Sequence, residues 1–195
     1  MKKIILGSNS PRRRELLKGL DIDYTLDTAN NFEETLEPGV EPHMIPVHLA
    51  EGKSHGFHRP LSPEEVLITA DTVVIVSTDA PGTCKTVLGK PHSREEAVDM
   101  LRLLSGRTHE VVTAVTLRDA EHEKTFTDTT LVTFEPLTDD EIDFYIDRYK
   151  PFDKAGAYGI QEWIGYAAIS KIEGSFYNVM GFPVHKVYKE LLNFI

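Results

Sequence analysis

The chain has 195 residues, 41% hydrophobic and 27% charged, so it is long enough to bury a full core and lacks the composition of a disordered segment. Its formal net charge of −10 argues against broad binding to nucleic acid, and any phosphate-bearing ligand would need a local cationic pocket, a divalent metal, or both. The single cysteine, Cys84, cannot form an internal disulfide, and no apolar run reaches signal-peptide or membrane-spanning length, so a cytoplasmic protein without a membrane partner is expected.

Along the chain, Lys3 to Gly7 predicts a short buried strand. Ser10 and Pro11 then supply an N-cap and first residue for a helix carrying Leu16, Leu17 and Leu20. Tyr24 to Thr28 fits a second strand, and His43 to Phe57 reads as helical despite Pro46, Gly52 and Gly56. Val66 to Val76, β-branched almost throughout, predicts the strongest strand; the turn-rich stretch from Ser77 to Thr86 leads into a short one ending at Leu88. Ser93 and Glu96 predict a capping box for a helix that buries Ala97, Met100, Leu101 and Leu104 and stops at Gly106. His109 to Leu117 and Lys124 to Phe134 predict a hairpin. Thr138 and Glu141 cap a helix with Ile142, Tyr145 and Ile146. Val184, Val187, Tyr188, Leu191, Leu192 and Ile195 predict a closing amphipathic helix. With no repeat and no linker, residues 1–195 read as one α/β unit with a mixed sheet.

Three segments do not behave as scaffold. In Ser8 to Arg14, three arginines crowd the first turn of a helix, where the macrodipole disfavours cations by a few tenths of about 1 kcal/mol each. Arg14 reads as solvated. For Arg12 and Arg13, the free N–H groups, the serine hydroxyls including Ser8, and two guanidinium forks make an anion site that a polyphosphate would complete. On this reading Arg13→Ala leaves stability unchanged or slightly raised. Asp71 interrupts an apolar run, either capping a turn after Ala70 or projecting a carboxylate that binds metal or takes a proton from water. Phe152 to Gln161 combines two glycines and two alanines with Lys154 and Gln161, which match a ligand's charge and a base edge unless the segment is simply a surface loop. His55 and His58 are three apart, but Gly56 lies between them and no cysteine is near, which argues against zinc.

Taken together the segments resemble the Maf family over nearly the whole chain. The matching stretches are Ser8 through Leu17, Glu34, Leu49-Ala50 with Lys53, Ala70-Asp71-Thr72, Leu88 through Pro91, Leu104 through Gly106, Asp153 through Gln161, and Lys171 through Gly174 with Gly181 and Pro183. The resemblance implies an elongated mixed-sheet α/β fold, two lobes around a central cleft, as in inosine-triphosphate-type pyrophosphatases. It implies a nucleoside triphosphate substrate cut to monophosphate and pyrophosphate, a divalent cation (Mg²⁺ or Mn²⁺), and Asp71 as proton acceptor. Arg12, Thr72 and Gln161 match residues that mark the subgroup acting on dTTP and UTP rather than on 7-methyl-GTP, and a homodimer is compatible with the family. Ser8, Arg13, Lys53, Lys90 and Lys154 are further candidate substrate contacts, and Glu34 with Asp71 a candidate metal pair. The rival expectation is a nucleotide-binding regulator of cell division with incidental hydrolysis. Thr69, Gly52, Ser54 and Trp163 depart from residues usual in the family, which bears on pocket shape.

Overall fold

The computed structural model describes residues 2–35, 39–77 and 85–195. Of the turn-rich stretch predicted from Ser77 to Thr86, residues 78–84 fall outside the described residues, and Ser77, Lys85 and Thr86 lie in strands. The fold is α/β, as the sequence predicts. Its strands are β1 (Lys3–Leu6), β2 (Tyr24–Leu26), β3 (Glu65–Ser77), β4 (Lys85–Leu88), β5 (Thr108–Arg118), β6 (Glu123–Phe134) and β7 (Ile169–Glu173). The helices are α1 (Pro11–Lys18), α2 (Ile45–His55), α3 (Arg94–Leu104), α4 (Asp139–Tyr149), α5 (Trp163–Ala167), α6 (Phe176–Val179) and α7 (Val184–Leu191). The seven strands form one mixed sheet in the order β2-β1-β3-β5-β6-β7, with β4 also paired to β3. β1 runs parallel to β2 and β3, while β4 is antiparallel to β3 and β7 to β6.

The chain divides into two compact units. The first holds residues 1–71, 113–128 and 181–195; the second holds 72–112 and 129–180. In the first, β1 and the leading half of β3 are buried on both faces, as apolar parallel strands are. Ile5 and Leu67 pack with Phe57 just past α2, and Leu16 and Leu17 are the buried residues of α1. In the second unit α3 buries Ala97, Met100, Leu101 and Leu104, and α4 buries Ile142, Tyr145 and Ile146. The two helices pack together and are laced by Arg94 to Asp143 and Asp147 and by Arg102 to Asp139.

Two local expectations change. Thr138 and Glu141 form the full reciprocal capping box, but at α3 only half of one forms. Ser93 Oγ accepts from the Glu96 amide, whereas the Glu96 carboxylate accepts from the His92 amide at 2.7 Å instead of reaching the Ser93 N–H. α7 is also narrower than its stripe suggested. Val184, Val187 and Leu191 are buried, while Tyr188, Leu192 and Ile195 stand exposed. The helix ends at Leu191, so Leu192 and Ile195 no longer follow its apolar face.

Candidate functional site

Asp71 does not cap a turn. β3 continues through it to Ser77, and the buried runs 66–70 and 73–76 are broken only by Asp71 and Thr72, which are partly exposed. A carboxylate here needs a partner, and Lys53 provides it, its Nζ lying 2.6 Å from Asp71 Oδ1. The same ammonium lies 2.9 Å from Glu34 Oε1, so two acids share one cation.

The alignment of Lys53 with Asp71 follows from the sequence of β3. Side chains alternate along a strand, so Thr69 and Asp71 project from the same face. The buried Thr69 hydroxyl donates to the carbonyl of Ala50 on α2 at 2.7 Å. Lys53 is three residues beyond Ala50, on the same side of that helix. The hydroxyl thus fixes the helix one turn before the lysine. Ser54, the neighbouring departure, is fully buried and accepts from Arg118 Nε at 2.8 Å, which ties the same helix to β5.

Arg13 completes the cluster in the first unit. Ser10 caps α1 by accepting from the Arg13 amide. The guanidinium of Arg13 turns inward, donating from Nε to the Gly181 carbonyl at 2.9 Å and from Nη1 to the Ala70 carbonyl at 2.8 Å and to Ser8 Oγ at 3.3 Å. Burial lowers its pKa from the ordinary arginine value, while Asp71 pulls it back up. Arg13 is therefore a brace between α1, β3 and the start of the C-terminal segment. These contacts argue against the expectation that its removal leaves stability unaltered, because two backbone carbonyls would lose a donor. Arg12, the next residue back, stays half-buried beside it.

The candidates of the second unit fall into two groups. Lys90 is exposed, next to Gly89, whose carbonyl accepts from the Gly156 amide at 3.0 Å. That bond joins the Leu88-Gly89-Lys90-Pro91 turn to the loop carrying Lys154 and Gln161. Gly156 has φ 68°, and a Cβ there would meet Val74 Cγ2 at 2.9 Å, so glycine is required on both counts. Lys154 is 8% exposed and bonds Asp153 at 2.9 Å and Glu162 at 3.0 Å. Glu162 also accepts from the Tyr145 hydroxyl, which in turn accepts from the Gly159 amide at 2.9 Å. Glu162 and Tyr145 thus hold the loop from beneath. The sequence showed Tyr145 only as part of a helix stripe, and Glu162 only as the residue after Gln161.

Gln161 lines a pocket of about 320 Å³ with Ile160, Tyr166, Ile169, Ile172 and Phe176 among its walls. Its Oε1 is buried and has no hydrogen-bond partner among the described residues. Trp163 takes no part in that wall; it packs on α4 against Phe144 and Tyr145. Thr72 follows Asp71 directly in the chain and is likewise partly exposed.

Two carboxylates and no third acid or imidazole make up the possible metal centre. Among the described residues no group of three or more His, Cys, Asp and Glu side chains is placed to hold an ion. Glu34 and Asp71 already flank one cation, the Lys53 ammonium, with oxygen donors only. Such a pair suits Mg²⁺ or Mn²⁺, hard ions commonly bound through one or two carboxylates plus the substrate's phosphates. His55, His58 and His43 pair instead with acids, with Glu123, Asp27 and Glu41 respectively. No helix among the described residues is long and apolar enough to cross a membrane.

The model of the family of Maf-like proteins matches residues 3–194. The dTTP/UTP pyrophosphatase of Porphyromonas gingivalis (strain ATCC 33277) is 51% identical over 194 residues, covering 98% of this chain and 94% of that protein. The dTTP/UTP pyrophosphatase of Bacteroides thetaiotaomicron is 47% identical over 189 residues, covering 97% and 94% of the two chains. That of Cytophaga hutchinsonii is 47% identical over 188 residues, covering 96% and 82%. With a match spanning nearly its whole length and relatives at this level of identity, the chain belongs to the Maf family.

Proposed function

We propose that this protein hydrolyses dTTP and UTP to the nucleoside monophosphate and pyrophosphate. One observation carries the reading: a strand buried on both sides opens only at Asp71 and Thr72, and Asp71 is held by Lys53 beside an arginine-rich helix start. The relatives named as dTTP/UTP pyrophosphatases give the substrate class.

In the proposed reaction water attacks the α-phosphorus of the triphosphate. Asp71 accepts the proton of that water as the new P–O bond forms. The bond between the α-phosphorus and the α,β-bridging oxygen breaks, and pyrophosphate leaves with the electron pair. Lys53 keeps the carboxylate of Asp71 in place and adds positive charge near the phosphates. Ser8 and Arg12 are assigned to the substrate's anionic end, with Arg13 framing them through its bonds to Ser8 and Ala70. Glu34 and Asp71 would hold the divalent cation, which supplies further neutralisation of phosphate charge when bound. Lys90 is assigned a phosphate contact. Lys154, already shared between Asp153 and Glu162, contributes less of the substrate's charge balance.

Thr72 and Gln161 are assigned to the base. The buried acceptor of Gln161 has no partner among the described residues, and such a group costs about 1–3 kcal/mol. The N3–H of uracil or thymine would satisfy it while the amide nitrogen donates to O4. Cytosine reverses both groups, so the site should reject it. A regulator that only bound nucleotide would have no use for a carboxylate fixed on a buried strand by a lysine.

The test is incubation of the pure protein with Mg²⁺ and dTTP, UTP, CTP, GTP or 7-methyl-GTP, with products resolved by anion exchange. Monophosphate and pyrophosphate from dTTP and UTP, well ahead of the others in kcat/KM, are expected. Inorganic phosphate as first product would overturn the reaction, and CTP or 7-methyl-GTP at parity would overturn the base assignment.

A further inference from the structure

Glu34 presents a mechanical problem. Its side chain is 57% exposed on a segment with no regular secondary structure, yet its carboxylate is 2.9 Å from Lys53. Something must hold that segment down. The contacts converge on the C-terminal half of α2. Asn30 Nδ2 donates to the Lys53 carbonyl at 2.6 Å, the Asn31 amide donates to the Gly56 carbonyl at 2.7 Å, and Asn30 bridges to Phe57. Asn30 Oδ1 in turn accepts from the Phe32 amide at 2.8 Å.

The ring of Phe32 then lies directly on the helix backbone. A Cβ at Gly52 would fall 2.3 Å from two Phe32 ring carbons, far inside any non-bonded carbon contact. A Cβ at Gly56 would fall 2.5 Å from Phe32 Cβ, 2.6 Å from Asn30 Oδ1 and 2.7 Å from the Phe32 amide nitrogen. Gly52 and Gly56, the residue that caps α2, are four apart and form a notch that only an absent side chain leaves open. Glycine in a helix interior is unfavourable relative to alanine, so its presence at Gly52 needs a reason. The seated phenyl ring supplies it.

We infer that Phe32 and the Gly52/Gly56 notch are a positioning lock that holds the acidic segment on α2 and so places Glu34 on Lys53, next to Asp71. Phe32 touches no substrate; it acts through Glu34. The inference rests on the proposed role of Glu34 and Asp71 in hydrolysis. It makes the size of residue 32 and the absence of a side chain at residue 52 a matched pair.

The experiment compares Phe32→Ala, Gly52→Ala, Glu34→Gln and the doubles Phe32→Ala/Gly52→Ala and Phe32→Ala/Glu34→Gln, reading kcat and KM for dTTP and the melting temperature. Phe32→Ala and Gly52→Ala should each lower kcat about five- to tenfold with KM changed much less. Once the ring is gone the three atoms nearest the added methyl are gone with it, so Phe32→Ala/Gly52→Ala should match Phe32→Ala in kcat and melt no lower, alanine being the better helix former. Phe32→Ala/Glu34→Gln should be no slower than Glu34→Gln, because there is then nothing left to position. A Glu34→Gln enzyme with wild-type kinetics would sink the underlying role of Glu34. An impaired Glu34→Gln enzyme alongside wild-type-like Phe32→Ala or Gly52→Ala, or losses that multiply in the doubles, would overturn the lock alone. Should Gly52→Ala fail to fold, the Phe32→Ala background still decides the matter: a second loss there on adding Gly52→Ala contradicts the notch.

Discussion

Replacing Arg13 by alanine separates a brace from a surface cation. The guanidinium makes two hydrogen bonds of ordinary length, to the carbonyls of Gly181 and Ala70, and a longer one to Ser8. A hydrogen bond to a charged group contributes about 1.5–3 kcal/mol, so the two short ones at the low end give about 3 kcal/mol. Removing a cation from the first turn of α1 returns only a few tenths of about 1 kcal/mol. For a chain of this length each kcal/mol moves the melting temperature by roughly 2–4 °C, so Arg13→Ala should melt roughly 6–12 °C below wild type. Arg13→Lys keeps the charge but has one ammonium instead of a planar fork, and should fall between the two. Thermal unfolding by circular dichroism, checked by urea titration, reads this directly. A melting temperature within about 2 °C of wild type for Arg13→Ala would refute the bracing argument.

Two further perturbations follow from the second unit. His109 is buried against Tyr158 and Phe134, and burial lowers its pKa to about 4 from 6.5. The unfolded chain therefore takes up the proton first as pH falls, so stability should drop by about 3 kcal/mol between pH 6.5 and 4; His109→Gln should flatten that part of the profile in urea titrations at several pH values, and an unchanged slope would exclude His109. Among the described residues Glu162→Gln leaves Lys154 paired only with Asp153 and removes a charged acceptor from Tyr145, and should cost about 2 kcal/mol of unfolding free energy in urea titrations. No measurable change would show that the exposure of Asp153 already sets the energetics of Lys154.

Much of this was legible from local pattern. The β-branched run predicted β3, and Thr138 with Glu141 predicted the box that opens α4, because both depend on residues close in sequence. What escaped was set by contacts distant along the chain. The Glu96 carboxylate was captured by His92, one residue before its expected partner, a choice that composition does not decide. β7, α5 and α6 are short elements whose exposed residues carry no clear period, and no element was predicted for them. At the site, the sequence marked Asp71 as anomalous but not what stabilises it. Lys53 is an ordinary helix lysine until Thr69 ties Ala50 to β3, and Arg13 reads as half of an anion site until its three acceptors within the protein are seen. The departures from the usual family residues were the most informative signals. Thr69, Gly52 and Ser54 each turn out to fix α2, the helix that carries Lys53.

The central claim is that Asp71 takes the proton of the attacking water. Asp71→Asn preserves shape and can still meet Lys53 as an acceptor, but lacks the charge needed for a base. With dTTP and Mg²⁺, and with folding verified by circular dichroism, its kcat for pyrophosphate release should fall about a hundredfold or more. A folded Asp71→Asn protein that releases pyrophosphate at close to the wild-type rate would contradict the account.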